Sequence, residues 1–80
     1  MGTNLSKTTQ ALFLAREGRF KEAFAIFKTF KLTFNREQLR LIEIAHESLS
    51  GHAPFYEAIG ISTFEIINNT HELIKKTYIL

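Results

Sequence analysis

The sequence predicts an all-α fold, a small bundle of four to five helices. Apolar residues recur at spacings of three and four, which places them on one face of a helix. Only one Pro and four Gly interrupt the 80 residues, and they stand where helices can end. A chain of this length is expected to form a single domain, residues 1–80. The expected order is an antiparallel hairpin, a third helix, a short helix and a C-terminal helix.

The first two helices are predicted as an antiparallel hairpin over residues 4–31. We expect the first helix to run from residue 4 or 5 to residue 17, and the second from residue 19 to residue 30 or 31. Gly18 lies between them and suits the left-handed conformation that commonly ends a helix. The apolar face of the first helix is predicted to contain Leu5, Thr8, Leu12 and Ala15. That of the second is predicted to contain Phe20, Ala23, Phe24, Phe27 and Phe30, with Ile26 beside them.

A three-helix segment is predicted over residues 35–78, and its first helix is expected over residues 36–49. Residues 31–34 form the connection from the hairpin. Asn35 can cap the N-terminus of this third helix, and Gln38 three residues later completes a capping box. The buried face of the third helix is predicted to contain Leu39, Ile42, Ala45 and Leu49, flanked by Leu41.

The last two helices are predicted over residues 54–59 and 63–78, with a glycine between them. Pro54 suits the first turn of the short helix. Ser62 and Glu65 have the spacing of a second capping box, which predicts where the last helix begins. Its inner face is predicted to contain Phe64, Ile67, Ile74 and Tyr78, with Ile66 and Thr70 alongside.

The composition excludes several classes of site. The chain has no Cys, so it can form neither a disulfide nor a thiolate zinc site. His46, His52 and His71 do not have the spacing of a metal site, and we expect neither a metal nor a cofactor. His46 and His71 fall on the apolar sides of their helices, where they could meet as a metal-binding or pH-sensitive pair. Histidines at the edge of the core, with one ring nitrogen hydrogen-bonded, are the favoured interpretation.

Neither catalysis nor membrane insertion is predicted. The chain has no Cys nucleophile, no Ser at a strand-turn-helix elbow and too few glycines for a phosphate-binding loop. Its carboxylates are glutamates scattered over helix faces, so we expect no catalytic residues and a non-enzymatic protein. No apolar run approaches the roughly 18 residues that span a bilayer. We therefore expect no membrane partner and a cytoplasmic location.

The segment ALFLAREGRFKEAFAIFKTF, residues 11–30, has Gly18 at its turn, followed by an aromatic-small-aromatic pattern. In this pattern, residues 4–37 resemble a tetratricopeptide-type helical hairpin. Lys7 stands where that family favours a large aromatic residue, and Asn35 stands where its closing proline is usual. The resemblance implies a helical hairpin and a protein-binding role. Repeats of this class stack on neighbours to complete a core.

A second pattern surrounds Gly60, where a turn glycine is flanked by apolar residues at Phe55, Ile59, Ile61 and Ile66. In this pattern, residues 32–77 resemble a helix-turn-helix module of bacterial regulators. Tyr56 stands at a position normally taken by a small residue, and Phe64 stands at a position that is usually exposed. The resemblance implies that the last helix contacts DNA, with asparagines able to pair with adenine and lysines able to contact phosphate. The candidate DNA contacts are Thr63, Asn68, Asn69, His71, Lys75 and Lys76.

Charge and apolar residues are both unevenly distributed. Residues 1–40 contain eight Lys and Arg against three Glu, whereas residues 41–80 contain two Lys against five Glu. Halves of opposite charge can attract a partner with the opposite layout, including a second copy of the chain, although solvated helix faces with a chance imbalance are the favoured interpretation. Some apolar residues fall off the main face of their helix, which implies burial on two sides. The candidate protein interface consists of Phe13, Leu14, Phe24 and Ile44.

These observations predict a non-enzymatic helical interaction module that self-associates as a homodimer and binds a protein partner. The alternative is a small helix-turn-helix-like DNA-binding transcriptional regulator. Nucleic acid is the less favoured partner, because the half of the chain that would read DNA lacks a basic footprint.

Overall fold

The computed structural model describes residues 6–78. Within them the chain forms five α-helices and one π-helical segment and no strand, which confirms the all-α prediction. The helices are α1 (Lys7–Arg16), α2 (Phe20–Phe27), α3 (Arg36–Glu47), α4 (Ala53–Ala58) and α5 (Thr63–Tyr78). The π-helical segment, Ser48–His52, lies between α3 and α4.

Helix α1 begins at Lys7, so the predicted start at residue 4 or 5 is wrong. Ser6 is the N-cap: its backbone is extended, and its hydroxyl accepts a hydrogen bond from the Thr9 N–H at 3.1 Å. Ala11 is the buried residue of α1, with Leu12 and Ala15 half-buried beside it. Leu5, expected on the same face, lies outside the described residues.

Gly18 ends α1 as predicted. Its φ is +79°, and the N–H groups of Gly18 and Arg19 donate to the carbonyls of Ala15 and Leu14 at 3.1 and 2.9 Å. This pair of bonds is the Schellman motif, which satisfies carbonyls that would otherwise lack a partner at the helix end. The chain then reverses within a few residues into α2, so the predicted hairpin is confirmed.

Helix α2 ends at Phe27, several residues before the predicted end. Beyond it, Thr29 and Phe30 donate backbone hydrogen bonds to residues three positions earlier, at 3.0 Å each, so the chain turns tightly. The turn buries Phe34, which is 3% exposed, and the connection therefore contributes to the core. The core residues that lie around α2 are Ala11, Ala23, Phe24, Phe27, Phe34, Ile42, Ala45 and Ile74.

Aromatic rings fill the space between α2 and α5. Phe20 lies against His71 with ring centroids 4.9 Å apart, and Phe27 lies against Tyr78 at 5.6 Å. Both pairs advance by seven residues along their helices, so α2 and α5 run in the same direction. Phe27 also makes edge-on contacts with Phe30 and Phe34 at 5.6 and 6.4 Å, which places it at the centre of the aromatic cluster.

The capping box at the start of α3 is confirmed. The Asn35 side chain accepts from the Gln38 N–H at 2.8 Å, and the Gln38 side chain accepts from the Asn35 N–H at 2.9 Å. Helix α3 ends at Glu47, two residues before the predicted end at residue 49, and the helical backbone is interrupted at Gly51, which has a φ of +102°. Leu49, expected on the buried face, is 37% exposed, so this prediction is wrong.

Helix α4 covers almost the predicted residues, and α5 covers exactly those predicted, 63–78. Gly60, with a φ of +89°, ends α4 in a second Schellman motif. Thr63, Thr70 and Ile74 are the buried residues of α5. Phe64, predicted on the inner face, is 63% exposed, because it lies about 100° around the helix from buried Thr63.

Candidate functional site

The four residues of the predicted protein interface do not lie on one surface. Phe13 is 57% exposed, and Leu14 is half-buried against the core. Phe24 and Ile44 are 1% and 8% exposed, so their assignment to an accessible interface is wrong. Phe24 lies at the centre of the apolar face of α2. Ile44 is buried although it lies off the main apolar face of α3, and it lies outside the core cluster around α2.

The candidate DNA contacts on α5 are also divided. Thr63 is 6% exposed, and its hydroxyl donates to a Glu57 carboxylate oxygen at 2.7 Å, so it is not available to a groove. His71 is half-buried against Phe20. Asn68, Asn69, Lys75 and Lys76 are exposed. The helix also exposes Glu65 and Glu72, and Glu72 lies 3.7 Å from the Lys75 ammonium.

His46 and His71 have separate environments. Burial lowers the pKa of His46, and the ammonium groups of Lys28 and Lys21 lower it further. Its Nδ1 atom is buried with no hydrogen-bond partner among residues 6–78. His71 packs instead against the ring of Phe20. Within the same residues, no group of three or more His or Glu side chains is arranged to hold a metal ion.

Three large apolar side chains are exposed on α4 and the first turn of α5. Phe55, Ile59 and Phe64, which we call the corner surface, are 62%, 60% and 63% exposed. Phe55 lies in α4, and Ile59, four residues later, is the C-cap residue of that helix. Sequence reasoning placed Phe55 and Ile59 among the apolar positions of a helix-turn-helix pattern and Phe64 at a position that this pattern usually exposes. Of the six residues of α4 only Tyr56 is buried, so most side chains of this short helix are exposed.

Polar contacts hold α4 in place behind the corner surface. The Tyr56 hydroxyl donates to a Glu47 carboxylate oxygen at the end of α3, and this hydrogen bond is the main cause that raises the Tyr56 pKa. The bond from Thr63 to Glu57 links α4 to the start of α5. The N–H of Ile61 also donates to the Tyr56 carbonyl at 3.0 Å. These contacts make the corner surface a fixed part of the fold.

Basic side chains surround a shallow groove of about 260 Å³ between the end of α2 and the start of α3. We call Lys28, Lys31, Arg36 and Arg40, which lie around Leu39, the basic groove. Arg40 is paired with Glu43 at 2.5 Å, and this hydrogen bond raises the Arg40 pKa. The other three cations form no ion pair with any carboxylate of residues 6–78. The groove therefore presents unneutralised positive charge.

A cavity of about 190 Å³ opens between α1, α2 and α5. Its walls are apolar and consist of Ala15, Phe20, Phe24 and Ile74. Arg16, His71 and Lys75 also line it, and none of the carboxylates of residues 6–78 does. The arrangement is an apolar space with cationic and imidazole groups in its lining. Sequence reasoning missed the cavity, because its lining residues are spread over 60 positions of the chain, from Ala15 to Lys75, and form no recognisable motif.

Comparisons with known proteins leave the family undecided. None of the helices in residues 6–78 combines the length and the hydropathy needed to cross a bilayer. Searches against protein-family models, curated proteins and solved structures found no significant match to the chain. The resemblances to a tetratricopeptide-type hairpin and to a helix-turn-helix module therefore stay predictions that depend on the sequence patterns alone.

Proposed function

We propose that the chain is a non-enzymatic helical interaction module that self-associates through the corner surface. The observation that carries the proposal is the exposure of Phe55, Ile59 and Phe64, each of which leaves at least 60% of its surface in water. Single exposed apolar residues are common on soluble proteins, but a group of large ones marks an interaction site. Aromatic side chains are also among the residues enriched at protein interfaces.

Charge indicates what covers the corner surface. Residues 41–74 contain five glutamates and no Lys or Arg, so Phe55, Ile59 and Phe64 lie in an acidic part of the chain. Glu57 and Glu65 are the charged residues nearest to them in sequence. An apolar surface with an acidic surround favours a partner that is basic around an apolar centre.

The basic groove of a second copy has this chemistry. It places Lys28, Lys31 and Arg36 around the half-buried Leu39. The groove lies at the start of α3 and the corner surface beyond its end, and the 12 residues of α3 separate them by about 18 Å. Two copies packed antiparallel can therefore place each corner surface against the groove of the other. Such an interface is two-fold symmetric and closes as a dimer.

The DNA-binding alternative depends on the exposed polar residues of α5. Asn68, Asn69, Lys75 and Lys76 are on the surface, which favours it. Glu65 and Glu72 are exposed on the same helix and would be brought near phosphates. We therefore expect no shift in the fluorescence anisotropy of a labelled duplex at about 50 mM salt, where non-specific binding is strong. Saturable binding that weakens steeply by about 200 mM salt would favour the alternative.

Sedimentation equilibrium tests the apolar part of the proposal. The weight-average mass of the wild-type chain is expected to rise with concentration from 9.2 kDa toward twice that value. The double variant Phe55→Ser/Ile59→Ser is expected to weaken the dimer at least tenfold, because it removes buried apolar area. Phe13→Ser is the matched control, since Phe13 is similarly exposed at 57% but lies on α1. A monomer at all concentrations, or a dimer lost only in Phe13→Ser, contradicts the proposal.

A charge exchange tests the antiparallel arrangement. Glu65→Lys and Arg36→Glu are each expected to weaken the homodimer, because each places like charges together. An equimolar mixture of the two variants is expected to form a heterodimer, since opposite charges then meet at both contacts. Sedimentation of the mixture and of each variant alone gives the comparison. A mixture that associates no better than its components means that the corner surface does not dock on the basic groove.

A further inference from the structure

We propose that the cavity between α1, α2 and α5 is a binding site for a small aromatic monoanion, such as an aryl carboxylate. The site is distinct from the interface above, because it shares no residue with the corner surface or the basic groove.

The cavity exists because large rings hold α2 and α5 apart. The Phe20 and His71 rings meet edge-on with centroids 4.9 Å apart, and Phe20 and Phe24 are 6.0 Å apart in a tilted arrangement. On the α1 side the neighbouring residue is Ala15, whose single methyl group does not fill the space between the helices. The volume that is left is about 190 Å³. An apolar cavity of about 150 Å³ holds one benzene molecule, so this cavity accommodates one aromatic ring with a short substituent.

The walls favour a flat aromatic body. Phe20, Phe24 and His71 present rings on which another ring can pack edge-on or offset. Ala15 and Ile74 complete the apolar lining. A strongly polar body would lose its hydration here without gaining hydrogen bonds, which excludes sugars and free amino acids as good occupants.

The charged groups of the lining select an anion. Arg16 and Lys75 come from α1 and α5 and are both exposed, and no carboxylate within the described residues, 6–78, lines the cavity. Arg16 pairs with no carboxylate of residues 6–78, and Lys75 has a long ion pair of 3.7 Å to Glu72, which is largely exposed. A carboxylate at the mouth can therefore contact both cations, while its ring occupies the apolar space. The Arg16 guanidinium can hold such a carboxylate through two parallel hydrogen bonds.

Phenylacetate and its neutral analogue phenylacetamide test the site, because the two probes have nearly the same shape and differ in charge. In a titration followed by ¹H–¹⁵N NMR, phenylacetate is expected to shift the amides of Ala15, Phe20 and His71 saturably. Phenylacetamide is expected to bind about fivefold more weakly, the difference that two partly exposed ion pairs provide. Raising the salt concentration is expected to remove most of this difference.

Variants distinguish the contribution of the charged side chains to binding from the contribution of the apolar cavity. Arg16→Gln/Lys75→Gln is expected to reduce phenylacetate affinity about fivefold and to leave phenylacetamide affinity unchanged. Lys7→Gln/Lys76→Gln, which removes two exposed cations that line neither the cavity nor the basic groove, is the matched control and is expected to change neither affinity. Ala15→Leu, checked for folding by circular dichroism, is expected to fill the cavity and abolish binding of both probes. No saturable shift at the cavity, equal affinity for the two probes, or equal effects of the two double variants would overturn the proposal.

Discussion

The imidazole of His46 lies at the junction of α2 and α3, in surroundings that disfavour its protonated form. Burial is the largest cause of its lowered pKa, followed by the positive charges of Lys28 and Lys21, while the neighbouring Glu47 acts in the opposite direction. In the unfolded chain the pKa returns to about 6.5. The folded state therefore binds this proton less readily than the unfolded state does. His46 adds stability above about pH 6.5 that is lost as the pH falls through the lowered pKa of the folded state.

The pH dependence of unfolding tests this account of His46. The free energy of unfolding of the wild-type chain is expected to fall between about pH 7 and pH 5, and His46→Gln is expected to reduce that slope. The contribution of one proton cannot exceed about 1.4 kcal/mol per pH unit. Urea unfolding at several pH values gives the slope. His52→Gln, at an exposed histidine, is the control and should keep it. An unchanged slope in His46→Gln would show that the imidazole titrates normally in the folded protein.

Residue-level prediction was accurate where the cause is local. Asn35 with Gln38 and the two turn glycines have the expected bonds and backbone angles, because a cap depends on residues within one turn. It was wrong for Ile44 and Phe64, whose exposure depends on which neighbouring helix covers them. Spacing alone cannot tell a second buried face from an exposed one, since both appear as apolar residues off the main face.

Helices α3 and α5 pack closely at Thr70, which is fully buried. Its hydroxyl donates to the Ile66 carbonyl at 2.8 Å and lies 3.4 Å from the Leu41 carbonyl of α3. The Thr70 hydroxyl is therefore hydrogen-bonded within α5 and also contacts the backbone of α3. The cavity and the corner surface also depend on helix packing. The cavity lies where α5 meets α2, and the corner surface lies where α5 meets α4. Neither could be predicted from the sequence, because both depend on how far apart the helices pack.

Thr70→Leu tests the close packing of α3 and α5. The larger side chain has no space at a fully buried position, so the variant is expected to lose about 1–3 kcal/mol of unfolding free energy. Thr77→Leu is the matched control. Thr77 lies two turns further along α5, makes the same hydrogen bond to the carbonyl four residues earlier at 2.7 Å, and is exposed. It is expected to change the free energy by less than about 0.5 kcal/mol. Equal losses in urea unfolding would mean that the two sites do not differ in packing.

The whole molecule depends on an aromatic cluster that connects its two halves. Phe27 of the hairpin contacts Phe34 of the connection and Tyr78 of the last helix, so residues far apart in sequence meet at one ring. The sequence predicted that Phe27 is buried, since it lies on the apolar face of α2. It did not predict that Phe34 belongs to the core, because a residue in a connection has no helical spacing that would assign it to a face. A domain of 80 residues has a total stability of roughly 4–12 kcal/mol, so a single position of this kind can decide whether it folds.

Phe27→Ala is therefore expected to lower the free energy of unfolding by about 3–5 kcal/mol, because it leaves a cavity where three aromatic contacts meet. Phe13→Ala is the control, since Phe13 is 57% exposed and its loss should cost less than about 0.5 kcal/mol. Urea unfolding followed by circular dichroism, at a concentration low enough to keep the chain monomeric, measures both. If Phe27→Ala does not fold, Phe27→Leu makes a smaller cavity and is expected to lie between the two. Similar midpoints for Phe27→Leu and Phe13→Ala would mean that the two halves of the chain are held together elsewhere than at the aromatic cluster.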